Sequence, residues 1–362
     1  MKVVIRVDAS LDIGTGHVMR CLTLANALRE RGAECEFICR EHAGHLAEKI
    51  ESSGHSVHLL APRDHLACES VRCADELAHA SWLGCAWHQD AADTIAALGP
   101  ASCDWLIVDH YALDARWEGQ LRPHARKMLA IDDLADRPHQ VDLLLDQNLG
   151  RVAADYQPYI SSTTRCLVGP EYALLRPEFA RLREYSLARR QQAPIQRIVV
   201  SLGGVDRDNI TRRVLEALAS MELPHEMKIT VVMGGQSPWR ETVQSQARHL
   251  PFSCQVLVDV EDMAQLMADT DLAIGAAGSS TWERCVLGLP SAIIVLAENQ
   301  RAIAAALDRM GAALHVKHIE QVPVVIQQLR DKSFRQSVSR TASKITDGLG
   351  VTRLITAIGT MS

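Results

Sequence analysis

Glycine-rich turns that run into a helix usually hold phosphate through backbone N–H groups alone. The stretch VDASLDIGTGHVMRCLTLANAL, residues 7–28, instead places a histidine where the helix should begin. Gly14 and Gly16 allow a ligand to approach the backbone closely. His17 and Arg20 fall in the first helical turn, so the motif is G-x-G-H-x-x-R. A dinucleotide fingerprint needs a third glycine where this chain has Met19, and an acid closing the second strand where it has Arg40 before Glu41. A nicotinamide site is therefore disfavoured. The positive end of the helix dipole favours a neutral ring at position 17, and a neutral imidazole is what a general base near pH 7 requires. His17 is expected to be that base; a histidine that only caps or packs is the alternative.

Three further groups carry polar chemistry. In AAGSSTWERCVLGLP, residues 276–290, Gly278, Ser279, Ser280 and Thr281 follow an apolar run and open a helix containing Glu283. Ser and Thr there are ordinary caps, but Gly278 also lets a phosphate reach the free N–H groups, and Glu283 can accept from ribose hydroxyls. A nucleotide diphosphate site is the expectation. In SLGGVDRDN, residues 201–209, Gly203 and Gly204 again permit close approach, while Asp206 and Asp208 form a short D-x-D that reads better as helix capping than as a metal site. Last, Asp109-His110-Tyr111, Asp132-Asp133 and Asp146-Gln147-Asn148 cluster at the ends of apolar runs, as a pocket for a hydroxylated or amide-bearing ligand would require.

The elements that must position these residues are short apolar strands alternating with helices. Residues 2–7, 34–39, 105–110, 127–133 and 141–148 read as strands, with a helix over 17–30 ended by Gly32. The alternation lapses between 150 and 194, around CLVGPEYALLRPEF and a charged helix over 180–194, and resumes with strands in 197–204, 228–235, 254–259, 272–278 and 291–296. This is α/β, built as two Rossmann-like domains expected to face a cleft: 1–150, a connector over 151–196, 197–345, and a closing helix over 346–362. In such sheets ligands bind outside the carboxyl ends of the strands.

Composition narrows the partners. The 362 residues carry a formal charge of −6 with acids and bases interspersed, so nucleic acid is disfavoured. Only a short apolar run precedes Arg6 and Asp8, and no later apolar segment is long enough to span a bilayer, so neither a signal peptide nor a membrane partner is expected. The ten cysteines are scattered without a C-x-x-C pair and read as reduced thiols of a cytoplasmic protein. His42 and His45 lack a third zinc ligand at convincing spacing. Oligomeric state stays open.

The segments IRVDASLDIGTGHVMRCLTLA, VDHYALD, IDDLADRPH, LLLDQN, VGPEYALLRPEF, SLGGVDRDN and GAAGSSTWERCVLGLPSAIIVLAENQ together resemble the UDP-sugar hydrolase family of pseudaminic acid biosynthesis, in order from about residue 3 to about 305. The resemblance implies a GT-B-like fold and cleavage of UDP-2,4-diacetamido-2,4,6-trideoxy-β-L-altropyranose to UDP and the free sugar, with no metal or other cofactor. Carried over, Gly278, Ser279 and Ser280 meet the diphosphate, Glu283 the ribose, and Asn299 and Gln300 the nucleotide or sugar. Gly203 and Gly204 join the UDP site, and Arg176 falls near the nucleotide. His17 is the base; Gly14, Gly16, Arg20, Asp90, Asp109 and Tyr111 are candidates for lining the sugar pocket. A glycosyltransferase using another acceptor, or a UDP-sugar-binding protein without turnover, are the competing readings.

Overall fold

The computed structural model describes residues 1–62, 77–100, 102–191, 194–224 and 226–361. Cys68 and Cys73, and positions 192 and 193 of the expected charged helix, lie outside these, as does Ser362 of the expected closing helix. The described chain divides into two compact units: residues 1–174 with 351–362, and residues 175–350.

The first unit is a seven-stranded parallel sheet in the order β3-β2-β1-β4-β5-β6-β7. Its strands are β1 (Lys2–Val7), β2 (Glu34–Arg40), β3 (Ser56–Leu60), β4 (Cys103–Asp109), β5 (Ala125–Ile131), β6 (Leu143–Asp146) and β7 (Arg165–Val168). Helices α1 (Gly16–Arg29), α2 (Ala47–Ser52), α3 (Trp87–Leu98) and α4 (Ala115–Leu121) connect them. Apolar residues on both faces explain why the strands are buried and parallel. Val3, Ile5, Val7, Trp105 and Ile107 pack on Cys21, Leu24 and Leu28 of α1. Their neighbours Val4, Leu106 and Val108 point the other way, onto Leu113, Trp117 and Leu121. The strand order reverses between β1 and β4, whose register sets Val7 beside Asp109. That is the switch point where a sheet of this kind opens a crevice. Gly14, at φ +80°, adopts the left-handed turn that directs the chain into α1.

The second unit begins with α5 (Pro177–Arg190) and has a six-stranded parallel sheet, order β10-β9-β8-β11-β12-β13. The strands are β8 (Arg197–Ser201), β9 (Lys228–Met233), β10 (Ser253–Val258), β11 (Leu272–Ala276), β12 (Ser291–Ile294) and β13 (Leu314–Val316). Helices α6 (Ile210–Ala219), α7 (Arg240–Ala247), α8 (Met263–Ala268), α9 (Ser280–Val286), α10 (Arg301–Met310), α11 (Val322–Arg330) and α12 (Lys332–Ala342) alternate with or follow them. Helix α13 (Gly350–Met361) returns to the first unit, where Val351, Leu354, Ile355 and Ile358 join its core.

The expected connector over 151–196 is not a separate segment. Its first part supplies β7, which pairs with β6. Its last part is α5, fastened to the second unit by buried Arg190, which donates to the carbonyls of Met267 and Leu287 at 2.8 and 3.1 Å.

Candidate active site

In the first unit the helix start and the switch point bring His17 and Asp109 together across 92 positions of sequence: His17 Nδ1 lies 2.6 Å from Asp109 Oδ1. Arg20, one turn along α1, forks onto the same carboxylate, Nε to Oδ2 at 2.7 Å and Nη2 to Oδ1 at 2.7 Å. Burial alone would push the Asp109 carboxyl up, but Arg20 and then His17 hold it far below the ordinary carboxylate range. Asp109 is therefore anionic, and the proton of the short contact sits on His17 Nδ1. Arg20 Nη2, although 3.3 Å from that nitrogen, donates to the nearer Asp109 oxygen. This tautomer leaves the lone pair on Nε2, the atom a general base needs. Only a small part of the His17 side chain is exposed.

Arg20 also reaches Asp133, Nη1 to Oδ2 at 2.8 Å. Tyr111 donates its hydroxyl to the same Oδ2 at 2.6 Å, and Asn148 its amide to Oδ1 at 2.8 Å. The Tyr111 ring stands edge-on to His17, centroids 4.7 Å apart at 82°. Trp82 stacks on Tyr111 at 5.6 Å, and His79 lies 4.4 Å from Trp82. Sequence reading missed His79 and Trp82; the only signal was an H-x-x-W at the start of a short helical turn.

A second buried cluster follows along the same strand ends. Tyr156 OH is 3.0 Å from Asp132 Oδ2 and 2.8 Å from Asp146 Oδ2. One hydroxyl proton cannot serve two carboxylates, so one of the acids brings its own. Asp132 pairs with Arg137 at 2.7 Å and accepts the Ala135 amide at 2.8 Å, and Arg137 with His139 outweighs its burial to hold it low. Asp146 is the protonated partner: burial, then the charge of Asp133, pushes it up to about 7.

Asp90, expected to line a sugar pocket, is instead fully buried among cations. Arg6 grips it at 3.2 and 2.7 Å, Arg40 at 2.8 Å, and the Trp117 indole at 3.0 Å. Arg6 also pairs with Asp8 at 2.6 Å. A carboxylate so engaged ties β1, β2, α3 and α4 together and has no oxygen left for a ligand. Arg20 likewise commits its donors to Asp109 and Asp133 rather than to a pocket. His42 and His110 approach Asp8 Oδ2 at 3.6 and 3.4 Å. The Ala112 amide donates to His110 Nδ1 at 3.1 Å, so the hydrogen-bearing Nε2 faces Asp8 and is not a metal ligand. Among the described residues no group of three His, Cys, Asp or Glu is placed to hold a metal ion.

In the second unit Gly278 lies in the turn after β11, and the amides of Gly278, Ser279 and Ser280 make no hydrogen bond among the described residues. Ser279 does not cap α9 with its side chain. Beneath the turn lies buried Arg284, donating to Ala276 O at 2.7 Å, Thr281 Oγ1 at 3.0 Å and Ser280 Oγ at 3.1 Å. Gly275 makes room for it, since a Cβ there would fall 2.5 Å from Arg284 Nη1. Neither was anticipated from the sequence. Glu283 is half-buried; burial pushes its carboxyl up, with Arg176 and Arg284 opposing. Arg176 donates to Glu261 O at 2.9 Å. Gln300 accepts the Leu296 amide at 2.9 Å and lies against Gly278, while Asn299 is exposed beside it. Gly203, at φ +91°, and Gly204 follow β8, the neighbour of β11. Asp206 caps α6, accepting the Ile210 and Thr211 amides at 2.9 Å each, and Asn209 accepts from Arg212 at 3.3 Å. Asp206 of the D-x-D is thus a capping residue, with Asn209 the N-cap of α6. The arrangement offers an anion a seat of free amides above a buried cation.

These two sheets define the class. Residues 197–350 match the glycosyltransferase family 28 C-terminal domain. The whole chain has the GT-B-like fold of two Rossmann-like domains, superposing on the crystal structure of Acinetobacter baumannii MurG with a TM-score of 0.70 at 16% identity over 99% of each chain. More particularly, it is similar to the UDP-2,4-diacetamido-2,4,6-trideoxy-beta-L-altropyranose hydrolase of Campylobacter jejuni, 25% identical over 88% of this chain and 100% of that protein. It also matches spore coat polysaccharide biosynthesis protein SpsG of Bacillus subtilis, 32% identical over 55% of this chain, and an uncharacterized protein of Methanocaldococcus jannaschii, 25% identical over 83%. The chain spans only 59% and 56% of these last two relatives. Among the described residues no helix is long and apolar enough to cross a membrane.

Proposed function

We propose that this chain hydrolyses a UDP-activated diacetamido-trideoxy sugar, UDP-2,4-diacetamido-2,4,6-trideoxy-β-L-altropyranose, at the anomeric carbon. The observation that carries the reading is the 2.6 Å contact of His17 Nδ1 with buried, anionic Asp109, which leaves Nε2 free to take a proton. His17 Nε2 removes a proton from water as its oxygen bonds to C1. The bond from C1 to the UDP oxygen breaks, and its electron pair leaves with the nucleotide. UDP is a good leaving group, so its departure needs charge stabilisation more than protonation. The free amides over Gly278–Ser280, with Arg284 below, supply fixed positive potential for that charge. Glu283 is assigned the ribose, and Arg176, Asn299 and Gln300 the nucleotide and the sugar near it.

Direct attack by a base-activated water inverts C1. Incubation with the diacetamido-altrose nucleotide in EDTA, followed by proton NMR of the first-formed sugar, should show metal-independent UDP release with the inverted anomer. Retention of configuration would eliminate the direct-attack mechanism, and a requirement for metal would eliminate its chemistry.

A second reading is transfer of the sugar to an acceptor other than water. The family 28 match favours it, as do Leu11 and Met19, apolar and exposed on the turn and helix that carry His17. Turnover that appears only when an acceptor alcohol is added would select it.

A further inference from the structure

We propose that Asp133 is a positioning residue for the His17 base, acting through Arg20. The activity arm of this inference rests on the hydrolase reading; its spectroscopic arm does not.

Arg20 is stretched between two carboxylates from neighbouring strand ends. Its Nε and Nη2 take Asp109 at 2.7 Å each, and its Nη1 takes Asp133 at 2.8 Å. The guanidinium fork is planar and rigid, so fixing all three nitrogens fixes its plane. Asp109 Oδ1 is shared between Arg20 Nη2 and His17 Nδ1. Any rotation of Arg20 is therefore passed to the oxygen that holds the His17 tautomer. Asp133 blocks that rotation and is itself held, by Tyr111 on Oδ2 and Asn148 on Oδ1. Tyr111 closes the loop, because its ring stands against the His17 ring. Asp133 thus fixes the imidazole from two sides, through Arg20 and through Tyr111.

The charges around Arg20 point the same way. Asp109 alone neutralises Arg20, so a further carboxylate is not needed to bury the arginine. With His17 neutral, the group of His17, Arg20, Asp109 and Asp133 carries one net negative charge. A proton taken up by His17 brings it to zero. Outside the group, Arg137 is shared by Asp132 and Asp136, and Asp146 keeps its proton only up to about pH 7. Cys21, whose thiol lies 3.4 Å from Asp109 Oδ2, is pushed well up by burial and stays neutral. Within this group, Asp133 is therefore the surplus charge that offsets an imidazolium at His17.

The test is Asp133→Asn, which keeps the shape and removes the charge. Histidine is labelled with ¹⁵N, the His17 signals are assigned by their loss in His17→Gln, and spectra are taken without substrate. The wild type should show the Nδ1–H tautomer, and Asp133→Asn a mixture with Nε2–H. Turnover of the nucleotide sugar should fall about 10–100-fold, the size expected when residues of one hydrogen-bond and ion-pair network are uncoupled, chiefly in kcat with KM little changed. An unaltered His17 tautomer would overturn the inference whatever the activity. A shifted tautomer in a chain that releases no UDP from wild type would uphold it and reject the hydrolase reading instead. If Asp133→Asn does not fold, Arg20→Lys carries the test. Lysine keeps the charge but cannot bridge both acids, and it should produce the same tautomer mixture; a wild-type spectrum there would overturn the inference.

Discussion

Replacing Asp146 with asparagine tests the protonated acid at the end of β6. The structure places Asp146 Oδ2 2.8 Å from a tyrosine hydroxyl that already serves Asp132, and burial with the charge of Asp133 raises the carboxyl from 3.8 to about 7. Below about pH 4 both native and unfolded chains carry this proton. Between about 4 and about 7 the unfolded chain releases it and the native chain keeps it, so this group's contribution to stability falls as pH rises. Above about 7 both have released it and the loss is complete. A displacement from 3.8 to about 7 corresponds to on the order of 4 kcal/mol at about 1.36 kcal/mol per tenfold. Roughly two-thirds of it, about 3 kcal/mol, develops between pH 5 and pH 8. Asparagine mimics the neutral acid: its amide can donate to Tyr156 and its oxygen can accept the Asn148 amide, as Asp146 Oδ1 does at 2.7 Å. The assay is amide hydrogen exchange of β5 and β6 in both proteins across this range, compared at each pH. Buried His110, held low by burial, titrates in both and cancels in the difference. The variant should gain on the wild type by about 3 kcal/mol from pH 5 to pH 8; a difference that does not change with pH would refute the shared-proton argument.

Other outcomes follow from the same contacts. Asp109→Asn removes the anion that fixes the Nδ1–H tautomer, and kcat should fall by about 10²–10⁴ while UDP affinity, measured by calorimetry, is retained. Gly278→Val should leave the melting temperature nearly unchanged, because a Cβ there meets only Gln300 Nε2 at 3.5 Å, yet weaken UDP binding by at least about 10-fold by crowding the free amides. Asp90→Asn strips buried Arg6 and Arg40 of a shared partner and should cost about 3–5 kcal/mol in urea unfolding, with kcat of the folded fraction unchanged.

Much of this architecture is legible in the sequence. Strands such as KVVIRV and RIVVS announce themselves because they are β-branched and buried on both faces. β3, β7 and β13 do not, since SVHLL is largely exposed, RCLV has one buried position and β13 has three residues. Missing β7 is what made 151–196 look like a connector. The motif around His17 is local and readable, but its partner is not: Asp109 is 92 positions away, and only the β1–β4 register brings it to the ring. Asp90 shows the converse error. It lies in the first turn of α3, and its burial against Arg6 and Arg40 depends on strands far off in sequence. Arg284 reads as an ordinary helix cation until the bare Cα of Gly275 shows where the guanidinium lies.

The central claim is that His17 Nε2 activates water against a UDP-bound sugar. The most direct test measures UDP release from the diacetamido-altrose nucleotide by wild type and His17→Ala, with UDP affinity measured on both. The account predicts steady release by wild type, a loss of at least about 10²-fold in the variant, and equal UDP affinity. Comparable release by the two proteins would contradict it.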